Sequence, residues 1–420
     1  MSGSKFANHS PSTLLSLIVA GEAIFFLPFV LVRIFRPTFL EVFELNNLQL
    51  GTCFSIYGIV ATVSYFFGGP LADRFPARNL MSFALWATGV GGLFLLTIPS
   101  QQQLMWLYGF WGMTTILLFW AALIRATREW GGSRFQGRAF GLLEGGRGLA
   151  AALIGAFGLA LFSVLMDETG DGNVQAQHLS SFGMVILGIS LMVLASGIWV
   201  WMAIPAKTIK QEAYTRINLR HLLPLFKQRS IWLQGIIIVC AYSGYKITDD
   251  LSLYAHDVLG FDQIQSAGVG TAALWMRPLF AVLAGFLADR YSASKVGMMC
   301  FASLVLGGLL IAGDFFRVWT MLSVVLLLAS VAGVYALRGI YFALLEEAHI
   351  PLSSTGAAVG LMSVIGYTPD IFMSPLMGYL LDTYPGSLGH QLVFLVLSGF
   401  GLLGAFTLFF FRKSSQLIPR

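Results

Sequence analysis

Twelve apolar segments recur along the whole chain, and no other feature of the sequence limits the fold as strongly. Each is roughly 20 residues long, the length that a helix needs to cross the hydrocarbon core of a membrane. Backbone polar groups inside lipid must be bonded within the chain, so these segments must be helices. With 57% hydrophobic and 11% charged residues, an ordinary soluble domain is excluded. The predicted spans are 13–39, 47–72, 79–98, 103–126, 138–165, 181–204, 230–255, 264–288, 295–313, 318–343, 356–381 and 391–411.

A polar stretch at 205–228 has six predicted spans before it and six after it. It contains five bases and one acid, which is typical of a cytoplasmic loop. We therefore predict an all-α integral membrane protein with twelve transmembrane helices in two pseudo-symmetric six-helix bundles. The N-terminal bundle is expected over 1–204, the cytoplasmic linker over 205–228 and the C-terminal bundle over 229–420.

The bases also predict the orientation of the chain. Most of the 25 bases fall on the side that holds both termini and the linker, whereas the predicted loops on the other side hold only Arg36 and Arg317. Because cytoplasmic loops carry the excess of Lys and Arg, we expect both termini to be cytoplasmic and loop 167–180 to lie outside. The positive net charge is thus explained by topology, and we expect no nucleic-acid partner.

A short polar motif occurs twice. Gly69-Pro-Leu-Ala-Asp73-Arg74 ends span 2, and Gly285-Phe-Leu-Ala-Asp289-Arg290 ends span 8, with an offset of 216 residues between the two aspartates. Each copy closes the second span of its half and carries an acid and a base into the following loop. This duplication favours a transporter built from two repeated halves.

Ionisable residues inside predicted spans are costly, so each one is a hypothesis for a functional site. Arg33 and the turn Lys246–Asp249 occupy corresponding places on spans 1 and 7 and are expected to face a shared cavity. The predicted substrate-binding residues are Arg33, Lys246, Arg147, Arg277, Tyr65 and Tyr242. The predicted proton-coupling residues are Glu22, Asp249, Asp250, Asp370 and Glu144.

Structural pairing is the competing interpretation of the same charges. Lys246 can pair with Asp249 or Asp250, and Glu144 with Arg147, because residues three or four apart share one face of a helix. Arg277 and Asp370 fall near the centres of spans 8 and 11, where they could pair with each other. Glu22 stands alone in its half of span 1, which favours it as a proton site.

The duplicated motif resembles the loop signature of the major facilitator superfamily, with Pro76 in place of the usual Gly. This resemblance implies alternating access, in which the two bundles rock around a central site. It also implies that the motif acid latches the bundles together in one state. The predicted gating residues are Asp73, Arg74, Arg78, Asp289 and Arg290, together with Arg125 and Arg338, which correspond in spans 4 and 10.

Several stretches resemble one branch, the organophosphate:phosphate antiporters. Leu31-Val-Arg33 resembles that family's phosphate-binding Leu-Val-Arg, Trp120-x4-Arg125 matches a second shared pattern, and 355–382 resembles its span 11. The family's second phosphate-binding Arg is absent, and Lys246 is the nearest base. Tyr65 and Glu144 stand where the family has Lys and His. Because these positions differ, the resemblance implies the fold and the transport mode, and gives little support to a preference for phosphate.

We predict a secondary transporter for a small polar organic anion: a sugar acid, carboxylate, sulfonate or organophosphate. Transport would be proton-coupled or by exchange. Two alternatives stay open, a proton-linked carrier of a neutral sugar or nucleoside and a non-transporting membrane sensor. An enzyme is disfavoured, because the sequence has no nucleotide-binding loop, nucleophile elbow or metal-binding cluster of His and Cys. We expect no cofactor or metal, and a monomer in the lipid bilayer of the plasma (bacterial inner) membrane.

Overall fold

The computed structural model describes residues 10–132, 136–168, 174–206, 228–315, 319–348 and 362–416. Every regular element in these ranges is a helix, which confirms the all-α prediction. Most of linker 205–228, the centre of loop 167–180 and the start of predicted span 11 lie outside them. The long helices are α1 (Pro11–Ile34), α2 (Asn47–Arg74), α3 (Ala77–Leu95), α4 (Gln101–Gly131), α5 (Gln136–Glu168), α6 (Val174–Ala203), α7 (Arg229–Asp257), α8 (Gln263–Tyr291), α9 (Ala293–Ala312), α10 (Thr320–Ile340), α11 (Pro369–Thr383) and α12 (Ser387–Gln416).

The exterior of the described part of the chain is apolar, and its interior holds charges. Ten of the helices are long and apolar enough to cross a membrane, all but α3 and α11. Large side chains such as Phe66, Trp106, Met202 and Phe286 are 62–78% exposed. Surfaces of this kind are stable in contact with lipid and not with water. The chain is therefore an integral, multi-pass membrane protein.

The sequence repeat is also visible in local structure. Asn46 caps α2 by accepting a hydrogen bond from the backbone N–H of Gln49 (2.8 Å), while the Gln49 side chain accepts one from the Asn46 N–H (2.9 Å). Asp262 and Gln265 form the same reciprocal box at the start of α8, 216 residues later. Such boxes satisfy backbone donors that have no partner within the helix. Equivalent sequence thus starts equivalent helices in the two halves.

Helices α1 and α7 are both interrupted near the middle of the bundle. A π-helical turn at Phe26–Val30, which contains Pro28, breaks the regular bonding of α1. A 3₁₀ turn at Thr248–Asp250 interrupts α7. After α1 the chain continues as a short separate helix, Arg36–Val42, so predicted span 1 is divided in two. These interruptions lie close to the charged residues that the sequence singled out.

The halves meet along two helix pairs, α2 with α11 and α5 with α8. One cluster of buried apolar side chains is built almost entirely from residues before the linker, and a second from residues after it. The division of the chain at 205–228 stays a prediction, because most of that stretch is outside the described ranges.

The two ends of the bundle differ. At the end where α2 and α8 begin, here called the closed end, Asp382 accepts hydrogen bonds from the backbone N–H groups of Asn47 (3.1 Å) and Leu48 (2.7 Å). Thr38 also donates to Gln263 there (2.8 Å), again between the halves. At the other end, here called the motif end, the acids Asp73 and Asp289 of the repeated motif are exposed.

Candidate functional site

A cavity with charged residues in its wall and a volume of about 80 Å³ lies between the two halves. It has room for several water molecules or a small ligand. Both halves contribute to its wall, as expected for the site of a repeat transporter. The lining residues are Glu22, Phe25, Phe29, Val30, Arg33, Tyr57, Ala61, Tyr65, Ile116, Trp120, Arg147, Tyr242, Tyr245, Lys246, Arg277, Arg338, Tyr367 and Asp370.

Arg33 and Asp249 form an ion pair across the halves. The Arg33 Nη2 lies 2.6 Å from Asp249 Oδ1, and its Nε donates to the same oxygen at 2.7 Å. Arg33 also donates to the Tyr245 hydroxyl (2.9 Å) and lies over that ring. The paired residues are 216 positions apart, the offset of the repeated motif, so opposite charges occupy equivalent places and neutralise each other. Asp249, predicted as a proton-coupling residue, is a salt-bridge partner in this conformation.

Lys246 lies between two carboxylates. Its Nζ is 3.3 Å from Asp249 Oδ2 and 3.4 Å from Asp370 Oδ1, and Tyr242 donates to Asp370 at 3.1 Å. The local Lys246–Asp249 pairing expected from helix geometry is therefore present. The suggested pairing of Arg277 with Asp370 is wrong, because α11 brings Asp370 to α7 and not to α8.

Glu22 is not alone, contrary to the sequence-based expectation. Arg277 Nη1 donates to Glu22 Oε1 at 2.9 Å, and Arg147 Nε lies 3.5 Å from Oε2. Arg147 also pairs with Glu144 at 2.7 Å, as the spacing of three residues indicated. Contact between α5 and α8 brings these bases to α1. The uncompensated carboxylate that favoured Glu22 as a proton site is thus a member of a buried ion-pair chain.

Asp250 lies outside the cavity wall. It pairs with His390, whose Nδ1 is 2.8 Å from Asp250 Oδ2, while the other ring nitrogen is 3.3 Å from Asp257. The Asp250 side chain is fully buried between α7 and α12. Its neighbour Asp249 points toward Arg33 because adjacent residues occupy different faces of a helix. Asp250 therefore lies apart from the carboxylates of the cavity wall in this structure, and its role in proton coupling stays a prediction.

Arg338 has a different environment from the other bases of the cavity. Its guanidinium carbon lies 3.9 Å from the centre of the Tyr245 ring and 5.9 Å from that of Tyr242. Its Nη1 is buried and has no hydrogen-bond partner, and no carboxylate of the described residues lies within ion-pair distance. The correspondence with Arg125 predicts a gating role for Arg338, whereas the structure places it in the cavity wall.

The corresponding base of the first half, Arg125, is neutralised locally. It pairs with Glu129 at 2.9 Å and donates to the backbone oxygen of Ala72. Four residues after Arg338 the chain has Phe342 in place of an acid. This difference at equivalent positions was a signal in the sequence that Arg338 lacks a local partner.

The remaining predicted gating residues lie at the motif end. Arg74 and Arg290 are exposed and lie near the rings of the residues that follow them, Phe75 and Tyr291. Arg78 packs over the ring of Trp201 at 4.3 Å. None of these contacts joins the two halves, and the latch role of the motif stays a prediction.

Two bundles of membrane helices around a charged central cavity are typical of a membrane transporter. The family model of the Major Facilitator Superfamily matches residues 15–367. The chain belongs to that superfamily.

Known proteins similar to this chain include two from Escherichia coli K12. It is 29% identical over 402 residues to the inner membrane protein YihN, covering 93% of this chain and 92% of YihN. It is 26% identical over 383 residues to the inner membrane protein YqcE, covering 88% and 87% of the two chains.

Solved structures support the fold alone. A bacterial homologue of the human lysosomal transporter Spinster, in an inward-facing and unoccupied conformation, superposes with a TM-score of 0.75 at 13% identity over 99% of this chain and 98% of that one. The nucleoside transporter NupG superposes with a TM-score of 0.69 at 16% identity over 96% of this chain and 100% of that one.

Proposed function

We propose that the protein is a secondary transporter for a small organic anion, and that Arg338 binds the charged group of this substrate. The proposal rests on one observation: no carboxylate of the described residues pairs with Arg338. Among the cavity bases of the described residues, Arg338 has no acidic partner, whereas the other four each contact one. A guanidinium that has a buried nitrogen and no counter-ion is unfavourable, and an anionic substrate would supply the missing charge.

The predicted anion-binding pair, Arg33 and Lys246, takes a secondary role in this proposal. Both side chains line the cavity, but both are engaged with Asp249. A substrate would have to break these ion pairs to bind either base directly. In the organophosphate:phosphate antiporters that the sequence resembles, the residue matching Arg33 binds phosphate. Because Arg33 is paired with Asp249 here, the resemblance does not imply a preference for phosphate.

The proposal also states which side of the membrane the cavity faces in the observed conformation. With both termini cytoplasmic, the motif end faces the cytoplasm and the closed end faces outward, so the cavity belongs to an inward-facing state. Two relatives are named inner membrane proteins, which supports the bacterial inner membrane as its location. Coupling to protons and exchange of two anions are both consistent with this site. Uptake into proteoliposomes with and without an imposed pH gradient separates them.

The test of the anion site compares Arg338→Gln with Arg125→Gln. The two positions correspond in the repeat and lose the same charge, but Arg125 lies outside the cavity wall. Purified protein is screened by thermal shift against gluconate, glucuronate, glycerol 3-phosphate, glucose and uridine. We expect at least one of the anions to stabilise the wild type and Arg125→Gln, and none to stabilise Arg338→Gln. Stabilisation by neutral solutes alone, unchanged in Arg338→Gln, would favour the neutral-solute carrier.

The orientation is tested by cysteine labelling of intact cells. Gln102 is exposed at the closed end and Lys295 at the motif end. The native cysteines Cys53, Cys240 and Cys300 are buried, so background labelling should be low. A membrane-impermeant maleimide should label Gln102→Cys and spare Lys295→Cys. The reverse pattern would overturn the orientation.

A further inference from the structure

We infer that the substrate is a monovalent, hydroxylated organic anion, with a carboxylate or sulfonate group in preference to a dianionic phosphate ester. This inference rests on the proposed function and narrows its substrate class. It comes from the balance of charge around the cavity and from the hydrogen-bonding groups in its wall.

The charge balance leaves one positive charge without a partner. Five basic side chains line the cavity, and four carboxylates lie within 3.4 Å of four of those bases, one for each. With all four carboxylates ionised, four of the five positive charges are balanced. Arg338 is the base that remains. A substrate with one negative charge would therefore make the sum of the five bases, the four carboxylates and the substrate zero.

A second negative charge would have no counterpart in this site. Moving an ion from water into a protein interior costs several kcal/mol unless an opposite charge compensates it. A dianion would have to draw Lys246 or Arg33 away from Asp249, which leaves that buried acid with one base in place of two. A neutral molecule would leave Arg338 as it is, without a counter-ion. Both are expected to bind more weakly than a monoanion of the same shape.

The rest of the wall is suited to hydroxyl groups. Tyr65, Tyr242 and Tyr367 line the cavity together with the carboxylates of Asp370 and Glu22. Glu22 Oε2 is buried and accepts no hydrogen bond from the described residues. Carboxylates accept hydrogen bonds and phenols donate or accept them, which matches the dual character of a hydroxyl. An aliphatic anion without hydroxyl groups would leave such acceptors unsatisfied.

The experiment measures binding of matched probes to the full-length protein by titration calorimetry. Glucose 6-sulfate and glucose 6-phosphate share one skeleton but differ by about one negative charge near neutral pH, and glucose is the neutral member. Glycerate and glycerol 3-phosphate form a smaller pair. In whichever pair binds, we expect the monoanion to bind at least about tenfold more tightly than the dianion, a difference of roughly 1.4 kcal/mol. Because the second ionisation of a phosphate monoester lies near pH ~6, this preference should shrink in acid.

A charge-change variant sharpens the test. Asp370→Asn removes one cavity carboxylate, while Lys246 keeps Asp249 as a partner. The variant has a second uncompensated positive charge, so the ratio of dianion to monoanion affinity should rise about tenfold, a change of roughly 1.4 kcal/mol. Asp382→Asn is the matched control, because Asp382 lies at the closed end and outside the cavity wall. Taking the ratio within each variant cancels any general loss of stability.

The outcomes separate the two proposals. Tighter binding of the dianion by the wild type, or an unchanged ratio in Asp370→Asn, would overturn the monovalent preference and leave the anion transporter intact. Equal binding of glucose by the wild type and Arg338→Gln, with no binding of either anion, would overturn both. Failure of every probe to bind would count against the monovalent hydroxylated class.

Discussion

The two ends of helix α2 face the other half of the protein in different ways. In the half toward the closed end, Gly51 and Gly58 lie directly against the backbone of α11. A Cβ added to Gly51 would lie 2.5 Å from the Ser374 carbonyl oxygen, and one added to Gly58 would lie 2.7 Å from that of Asp370. Near the motif end, a Cβ on Gly69 would meet no other element within 4 Å in the described part of the chain.

This difference shows which contacts stabilise the observed conformation. The closed end relies on backbone approach, which only residues without a side chain permit, and on the hydrogen bonds of Asp382. The motif end carries exposed acids and bases that make no contact between the halves among the described residues. The closed end is therefore held together mainly by packing. At the motif end, we expect closure to depend on contacts between charged residues.

The largest effect is expected from breaking the ion pair between the halves. Asp249→Asn leaves Arg33 buried without its counter-ion, and removing one member of a buried pair costs about 3–5 kcal/mol. The thermal stability of purified protein should fall strongly. Asp289→Asn, the same change at an exposed position of the motif end, should leave it nearly unchanged.

The repeat offers a direct check on that pair. Because Arg33 and Asp249 occupy equivalent positions, the double variant Arg33→Asp/Asp249→Arg should recover part of the stability that each single variant loses. Recovery is incomplete because Lys246 then faces a like charge. Additive losses in the double-mutant cycle would contradict the coupling.

A smaller effect is expected from opening the closed end. Gly58→Val places a branched side chain against the α11 backbone, which should shift the population away from the observed conformation. Thr38 is fully buried and bonded to Gln263 at this end, so the variant Thr38→Cys reports the change. We expect its thiol to react with maleimide about tenfold faster when Gly58→Val is present, a population shift of roughly 1.4 kcal/mol.

The control is Gly69→Val at the other end of α2, where space is available. It should leave the labelling rate of Thr38→Cys unchanged. Equal acceleration by both valine variants would mean that the packing at Gly58 has no special role.

The smallest effect concerns the exposed acids of the motif. Asp73→Asn and Asp289→Asn should leave equilibrium substrate affinity within a few-fold of wild type, since neither side chain lines the cavity. Transport should slow by up to about tenfold, because the loss of a contact worth roughly 1.4 kcal/mol in the other conformation changes a rate by that factor. A normal transport rate with lost binding would argue against a gating role for the motif.

The sequence by itself determined the membrane class, the repeat and the local pairs. Lipid forces long apolar segments into helices, and equivalent capping boxes 216 residues apart begin equivalent ones. Glu144–Arg147 and Lys246–Asp249 were predictable because a spacing of three residues places both members on one face of a helix. The contrast between the acid that follows Arg125 and the phenylalanine that follows Arg338 was also in the sequence.

Only the tertiary structure decided which distant charges meet. The pairing of Glu22 with Arg277, of Lys246 with Asp370 and of Asp250 with His390 depends on how helices from separate parts of the chain pack together. Helix periodicity fixes the face on which a residue lies, but it does not fix the neighbour that this face meets. Arg338 is left without a carboxylate for the same reason: packing places Glu22, Glu144, Asp249 and Asp370 beside other bases, and the Arg338 guanidinium beside the rings of Tyr245 and Tyr242.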